Sequence, residues 1–347
     1  MRFLIMGAGA IGSFLGHRLA TAGHSVTLVA RPPWVAAVRS QGLGLEEKGQ
    51  VRFESNLASV TDVRAVISDA FDLVVCTTKV YDTAEALRQA APVVAEGAPL
   101  LLVQNGVGGE ELVARALPQV QCLSAVITLA VEVLSPGLVR LTTTKGGIGL
   151  AAVSPGAPPD EFAFTLRQAG IDRVTAYADY RAIKWSKLLL NIMSNALPTV
   201  LDMSPGELYA QRRLFDLERA AFREALAVMR GLGLKPVALP GYPVPLFAWG
   251  MRWLPSVVLQ PSFRRLIVGG RGGKMPSLHL DLLKGKPESE VEFLNGAVVK
   301  YARRIGLQVP VNQALHRTLK AIVSGETRWA EFRRQPRKLL AQMGQRA

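Results

Sequence analysis

Apolar positions along the first third of the chain recur with two different periods. Residues 2–7 form a short apolar run ending on glycine, residues 12–22 repeat apolar positions at helical spacing, and residues 25–30 (SVTLVA) are apolar again. A run of this length bounded by a glycine suits a strand buried on both faces, and the period near 3.6 between the runs suits a helix, so the segment predicts β-α-β. Apolar runs at 72–76 (DLVVC) and 99–103 (PLLLV), separated by the helical pattern of 82–95, continue the alternation of a parallel sheet covered by helices on both faces. From 121 to 152 the pattern turns β-rich, with turn signals at Ser135-Pro136-Gly137 and Gly146-Gly147. That predicts an antiparallel extension of the sheet. Residues 153–160 (SPGAPPDE) read as a loop.

Beyond about residue 178 the strand signals stop, and helical patterns run through 181–197, 206–232, 286–305 and 311–323. The expected organisation is an α/β domain over residues 1–178, doubly wound and mostly parallel, followed by an all-α domain over 179–347. Residues 237–276 hold many prolines, tryptophan-bearing apolar patches and the glycine cluster GGRGG. They read as an irregular insertion, suited to a lid or to a homodimer contact.

Composition narrows the class. A chain of 347 residues that is 49% hydrophobic and 20% charged is an ordinary globular protein, long enough for two domains sharing a cleft. Cys76 and Cys122 sit far apart in apolar stretches, a pattern of buried free thiols that favours a reducing, cytoplasmic setting. The apolar start carries glycines at nucleotide-binding spacing and no cleavage-type segment, so export is not expected. No stretch has the roughly 18 uninterrupted apolar residues of a membrane helix; the nearest, 238–261, is broken by prolines and Arg252. A formal charge of +14 would steer anionic ligands. The charges are spread along the chain, and Arg333, Arg334, Arg337 and Lys338 have the spacing of a solvated helix face, which argues against nucleic acid as the partner. His17, His24, His279 and His316 show no ligand spacing and read as ordinary surface or helix histidines, so no metal is expected.

Gly7-Ala8-Gly9-Ala10-Ile11-Gly12 matches G-x-G-x-x-G directly after a strand and at the opening of a helix. In that context Gly7 allows the tight turn, Gly9 admits a pyrophosphate to the backbone, and Gly12 lets the helix close on the sheet. The free amides at the helix N-terminus then face the phosphates. The first domain is therefore expected to be a Rossmann domain. Its second strand ends at Ala30-Arg31, where an NAD enzyme would carry a carboxylate for the ribose 2′-hydroxyl; Arg31 instead suits a 2′-phosphate and predicts NADP(H), the bland alternative being a solvated loop arginine.

In KWSKLLLNIMSNALP, Lys187, Asn191 and Asn195 follow at i, i+4 and i+8 among apolar neighbours. On one helix they share a face. In a dry cleft the ammonium could give a proton to a carbonyl oxygen as hydride reaches the carbon, while the two amides hold substrate polar groups. Lys184, one turn earlier, competes for the role. The bland reading is a lysine extending its head from an amphipathic helix, with the asparagines in a helix–helix contact.

Taken together, the GAGAIG turn with Arg31, CTTKVYDT with Lys79, VQNGVG with Asn105, KWSKLLLNIMSN and SEVEFLNG followed by GLQVPVN resemble the ketopantoate reductase family, within the 6-phosphogluconate-dehydrogenase-like enzymes. The resemblance spans most of 1–230 and 275–325. It implies an oxidoreductase that reduces 2-dehydropantoate to pantoate with NADPH, in pantothenate and coenzyme A synthesis. By residue it implies Lys187 as general acid, Asn191 and Asn195 on substrate, and Lys79 and Asn105 on cofactor. Glu290 would orient the lysine and the substrate hydroxyl or touch the cofactor ribose, and Ser277 would meet the substrate carboxylate. An α-keto acid is anionic, and Lys187 would also stabilise the alkoxide developing at its ketone oxygen.

The chain departs from the family pattern in three places. Pro205 stands where members can carry an asparagine before Gly-Glu-Leu, Glu288 competes with Glu290 because Pro287-Glu288-Ser289-Glu290 has an extra residue, and the 237–276 segment is long. These departures leave two other readings open: a related NADP-dependent 2-keto acid or carbonyl reductase, and a non-catalytic NADP-binding protein.

Overall fold

The computed structural model of the protein describes residues 1–95, 97–143, 145–271 and 275–342. It divides into two compact units, one made of residues 1–184 with 239–242 and one made of 185–238 with 243–347.

The first unit is built on an eight-stranded sheet. Its strands are β1 (Arg2–Met6), β2 (Ser25–Val29), β5 (Ala58–Val60), β6 (Leu73–Cys76), β7 (Leu100–Val103), β8 (Cys122–Ile127), β11 (Ile148–Ala152) and β12 (Val174–Tyr177), in the order β12-β11-β8-β7-β6-β1-β2-β5. Every pairing is parallel except β8 with β11. The unit also holds helices α1 (Ala10–Thr21), α2 (Pro32–Gln41), α3 (Thr83–Ala95), α4 (Gly109–Ala116) and α5 (Pro159–Gln168). Alternation along each strand divides the core. Phe3, Ile5, Leu73, Val75, Leu101 and Leu123 pack with Phe14 and Leu19 of α1 and Phe162 of α5. Their neighbours Leu4, Met6, Val74, Cys76, Leu100 and Leu102 pack with Leu87 and Val94 of α3 and Val113 of α4. Both faces are covered, which is why the strands read as unbroken apolar runs. The doubly wound, mostly parallel Rossmann-type fold expected for this part is the one observed.

Part of the 121–152 segment goes elsewhere. Only β8 and β11 form the antiparallel join; β9 (Val131–Ser135) and β10 (Leu138–Leu141) leave the main sheet and pair with β3 (Leu43–Glu47) and β4 (Gln50–Glu54) in a second sheet ordered β4-β3-β10-β9. Exposed Val51, Phe53, Val133 and Leu134 on this small sheet explain why its strands lack the signature of the buried ones. The sheet rests against α1. His17, read from sequence as an ordinary surface or helix histidine, is buried there, with its ring 3.2 Å from the Arg52 carbonyl oxygen.

The division between the units falls inside α6 (Tyr180–Ile192), after Lys184. The second unit continues with α7 (Ala196–Leu201), α8 (Pro205–Ala210), α9 (Arg212–Gly231), α10 (Val244–Trp253), α11 (Ser256–Arg271), α12 (Ser277–Leu283), α13 (Asn295–Arg304), α14 (Pro310–Val323) and α15 (Pro336–Gln342). The segment expected to be irregular therefore holds two helices. Pro245 occupies the first turn of α10 and Pro255 precedes α11, positions where a missing N–H costs no intrahelical bond, whereas Pro261 lies inside α11. The glycine cluster at 269–273 lies partly outside the described residues. Among the described residues no helix is long and apolar enough to cross a membrane.

Candidate functional site

In the first unit the glycine turn lies at the carboxyl end of β1, between β6 and β2, where doubly wound sheets bind their ligands. Gly7 takes a φ of 98°, which only glycine adopts without strain. A Cβ on Gly12 would fall 2.0 Å from the Gly7 carbonyl oxygen and 2.6 Å from Thr77 Oγ1, so the helix can close on the turn only without a side chain there. The Thr77 hydroxyl fixes the same turn by donating to the Gly7 carbonyl at 2.5 Å. Gly9 differs from both. A Cβ at Gly9 would meet nothing within 4 Å, so the protein's own packing does not require glycine there, and a ligand approaching the backbone would. Gly9 caps α1 with no side-chain hydrogen bond and no acid follows in the first turn, so the helix itself places no anion at its amide end. These residues fit a dinucleotide pyrophosphate.

Around the turn, Arg31 ends the β2 connection as the N-cap residue of α2, with its side chain exposed. Lys79 follows β6 and is half-buried, and Asn105 follows β7 and is exposed. These segments thus extend from the carboxyl ends of β2 and β6, which flank β1, and of β7, which pairs with β6. Burial pushes the Cys76 and Cys122 thiols up, with the Glu110 charge adding at Cys122. Both are free thiols, and neither has the character of a nucleophile.

In the second unit Lys187 and Asn191 sit one turn apart on α6, both half-buried, with Leu188 and Leu189 buried beside them. Asn195 is not on that helix. The chain turns at Ser194, φ 55°, and Asn195 becomes the N-cap residue of α7. What breaks the expected 181–197 helix is a buried polar group. The Ser194 N–H donates to the Glu218 carboxylate at 2.6 Å, and its hydroxyl donates to Tyr209 Oη at 2.9 Å. Asn195 is buried, and its Oδ1 has no hydrogen-bond partner among the described residues. Ser277 is exposed at the first position of α12. Glu290 is 3% exposed in a 3-10 turn, whereas Glu288 is exposed. Lys184, the competitor of Lys187, is 3% exposed and donates to the Gln104 carbonyl at 2.7 Å, so its ammonium is already engaged.

Two family models match the chain, "Ketopantoate reductase PanE/ApbA" over residues 3–155 and "Ketopantoate reductase PanE/ApbA C terminal" over residues 179–323. The chain belongs to the ketopantoate reductase family. It is accordingly an oxidoreductase acting on a CH–OH group. A 2-dehydropantoate 2-reductase of Aquifex aeolicus is 27% identical over 325 residues, 92% of this chain and 96% of that one. The crystal structure of a PanE/ApbA family ketopantoate reductase from Ralstonia eutropha JMP134 superposes with a TM-score of 0.78 at 31% identity, covering 94% and 99% of the two chains. The same fold is seen in a D-mandelate dehydrogenase solved with NADH and anilino(oxo)acetate, at a TM-score of 0.79, 21% identity and coverage of 94% and 99%.

Each residue singled out in this ketopantoate reductase family member falls inside one of the two matched segments. Sequence reasoning missed the polar groups behind them. Gln104, Glu110 and Ser124 are all buried near the residues expected to meet cofactor. Glu110 carried a weak signal, an acid in the first turn of a helix opened by glycines; nothing marked Gln104 or Ser124.

Proposed function

We propose that the chain reduces 2-dehydropantoate to pantoate with NADPH, in pantothenate and coenzyme A synthesis, with Lys187 as general acid. The observation that carries this reading is the pairing, in one chain of this family, of a glycine turn open only above Gly9 with a half-buried lysine one turn from an amide. NADPH, when bound, supplies hydride to the ketone carbon. The chain has to supply a proton to the ketone oxygen. The Lys187 ammonium, beside buried leucines, stabilises negative charge growing on that oxygen and then transfers its proton, converting C=O to CH–OH. Asn195 supports a substrate role because its orphaned Oδ1 costs desolvation energy that a ligand hydroxyl would offset. Asn191 offers a donor and an acceptor one turn from Lys187, and the Ser277 hydroxyl would meet the substrate carboxylate. Burial favours Glu290 over Glu288 as the orienting carboxylate, since an exposed acid orients nothing. Arg31 would pair with the 2′-phosphate, and Lys79 and Asn105 would hold the rest of the cofactor.

The test is NADPH oxidation with 2-dehydropantoate against a panel of other 2-keto acids, run in parallel with NADH. Preferred turnover of 2-dehydropantoate with NADPH supports the proposal. Preference for another keto acid would support the related-reductase reading, which Pro205 favours: it is buried at the first position of α8 and offers no side-chain amide. Binding of NADPH with no turnover of any carbonyl would favour a non-catalytic protein.

A further inference from the structure

Lys184 and Glu110 form an ion pair at 3.0 Å with both side chains only 3% exposed. A buried pair of this kind gains little stability over a well-packed apolar pair, so its presence asks for another role. Its partners suggest one. Lys184 Nζ donates to the Gln104 carbonyl oxygen at 2.7 Å, the carbonyl immediately before Asn105. Glu110 Oε1 also accepts from the buried Ser124 hydroxyl at 2.6 Å, which holds the carboxylate in place from β8. The Gln104 side chain extends the chain of bonds, with Nε2 donating to the Thr78 carbonyl at 3.1 Å and to Thr83 Oγ1 at 2.9 Å, while the Thr83 hydroxyl donates to the Val80 carbonyl at 2.7 Å. Backbone on both sides of Lys79 and just before Asn105 is therefore tied to the second turn of α6, three residues before Lys187.

We infer that the Lys184–Glu110 pair is a positioning device for the reaction. It holds the loop after β6, the loop after β7 and the start of α6 in one register, and it contacts neither cofactor nor substrate itself. The inference rests on the proposed roles of Lys79, Asn105 and Lys187. A fixed carbonyl at Gln104 orients the peptide that leads into Asn105, and a fixed Lys184 anchors the first-unit end of α6, the helix that carries Lys187. Preorganisation of this kind acts on cofactor affinity and turnover together, because small misplacements of positioning groups lower both.

The experiment compares Lys184→Met, Glu110→Gln and the double variant Lys184→Met/Glu110→Met. Each is measured for melting temperature, NADPH affinity by fluorescence titration, and kcat and KM for the keto acid. Lys184→Met is expected to weaken NADPH about tenfold and lower kcat about tenfold, with keto-acid KM changing less than threefold. The double variant, which leaves no orphaned charge, is expected to regain the wild-type melting temperature but neither the NADPH affinity nor kcat. A merely structural pair would behave otherwise: the double variant would regain all three, and that result overturns the inference. Should both methionine variants fail to fold, Glu110→Gln, which keeps the shape, decides it, since unchanged NADPH affinity in the folded protein refutes positioning and a loss of threefold or more supports it. NADPH titration needs no substrate, so it judges the pair even if the wild-type protein reduces no keto acid and the proposed function falls.

Discussion

The two units reach precision by opposite means. At the glycine turn, backbone touches backbone: the Gly12 position leaves no room beneath it, and a threonine hydroxyl clamps the carbonyl that an added methyl would strike. Around Asn195 the chain is held by buried side chains instead, with Ser194, Tyr209 and Glu218 forming a closed hydrogen-bonded set at the break between α6 and α7. A site built by close backbone approach tolerates loss of side chains and no gain of volume. One built by buried polar groups absorbs small volume changes and no loss of a partner. Substitutions in the two regions should therefore fail in different ways.

The sharpest contrast lies within the glycine turn. Gly12→Ala is expected to abolish measurable NADPH binding, a loss on the order of 100-fold or more, and to destabilise the unit by about 1–3 kcal/mol through overpacking. Gly9→Ala should leave the melting temperature unchanged, since no atom waits near the new methyl, and still weaken NADPH. Equal melting losses for the two would break the distinction between a glycine required by the protein and one required by the ligand. In the other unit Lys187→Ala should lower kcat by roughly 10² or more, the scale for a lost general acid, with NADPH affinity nearly unchanged. Comparable loss of cofactor binding would remove it from the acid role.

This contrast also accounts for what could be read from residues alone. Backbone sterics write themselves into sequence as glycines at fixed spacing, and sheet burial writes itself as unbroken apolar runs, so the turn and the parallel strands were legible. The second sheet was partly hidden because several of its apolar residues are exposed, and α10 and α11 were hidden because prolines at their starts, and Pro261 inside α11, resemble prolines in loops. Asn195 shows the harder limit. A spacing of i, i+4, i+8 cannot reveal a helix break caused by Glu218, a residue more than twenty positions away whose carboxylate takes the Ser194 N–H.

Two intermediate effects refine the picture. Arg31→Ala should weaken NADPH about tenfold and leave NADH within twofold, because a single charge-assisted contact to the 2′-phosphate is removed while the pyrophosphate cradle is untouched. Equal losses on both cofactors would mean that the arginine does not read the phosphate. Glu218→Ala should cost about 1–3 kcal/mol in denaturant unfolding, the scale for leaving buried partners such as the Ser194 N–H unsatisfied. It should also raise the KM for the keto acid through the shifted N-terminus of α7. A stability loss without any change in KM would separate the helix break from substrate binding.

The smallest expected effect is a pH dependence of opposite sign in the two units. Burial lowers the His17 pKa from its ordinary 6.5, with the Arg52 carbonyl only partly offsetting it. Its contribution to stability is present above pH 6.5 and is lost as pH falls through the folded value, because the unfolded chain takes up the proton first. Glu224 behaves the other way. Burial raises its carboxyl above 4.5 against the pull of the Val311 and Asn312 amides, so its contribution is present below pH 4.5 and is lost as pH rises through the folded value. Denaturant unfolding followed from about pH 4 to 8 by the fluorescence of Trp34 in the first unit and Trp185 in the second, in variants keeping one tryptophan each, should give slopes of opposite sign near the acid end. His17→Asn should flatten only the first and Glu224→Gln only the second. Slopes of the same sign in both probes, or a Glu224→Gln change felt equally at Trp34, would mean that the units unfold as one and that their differing construction has no separate thermodynamic consequence.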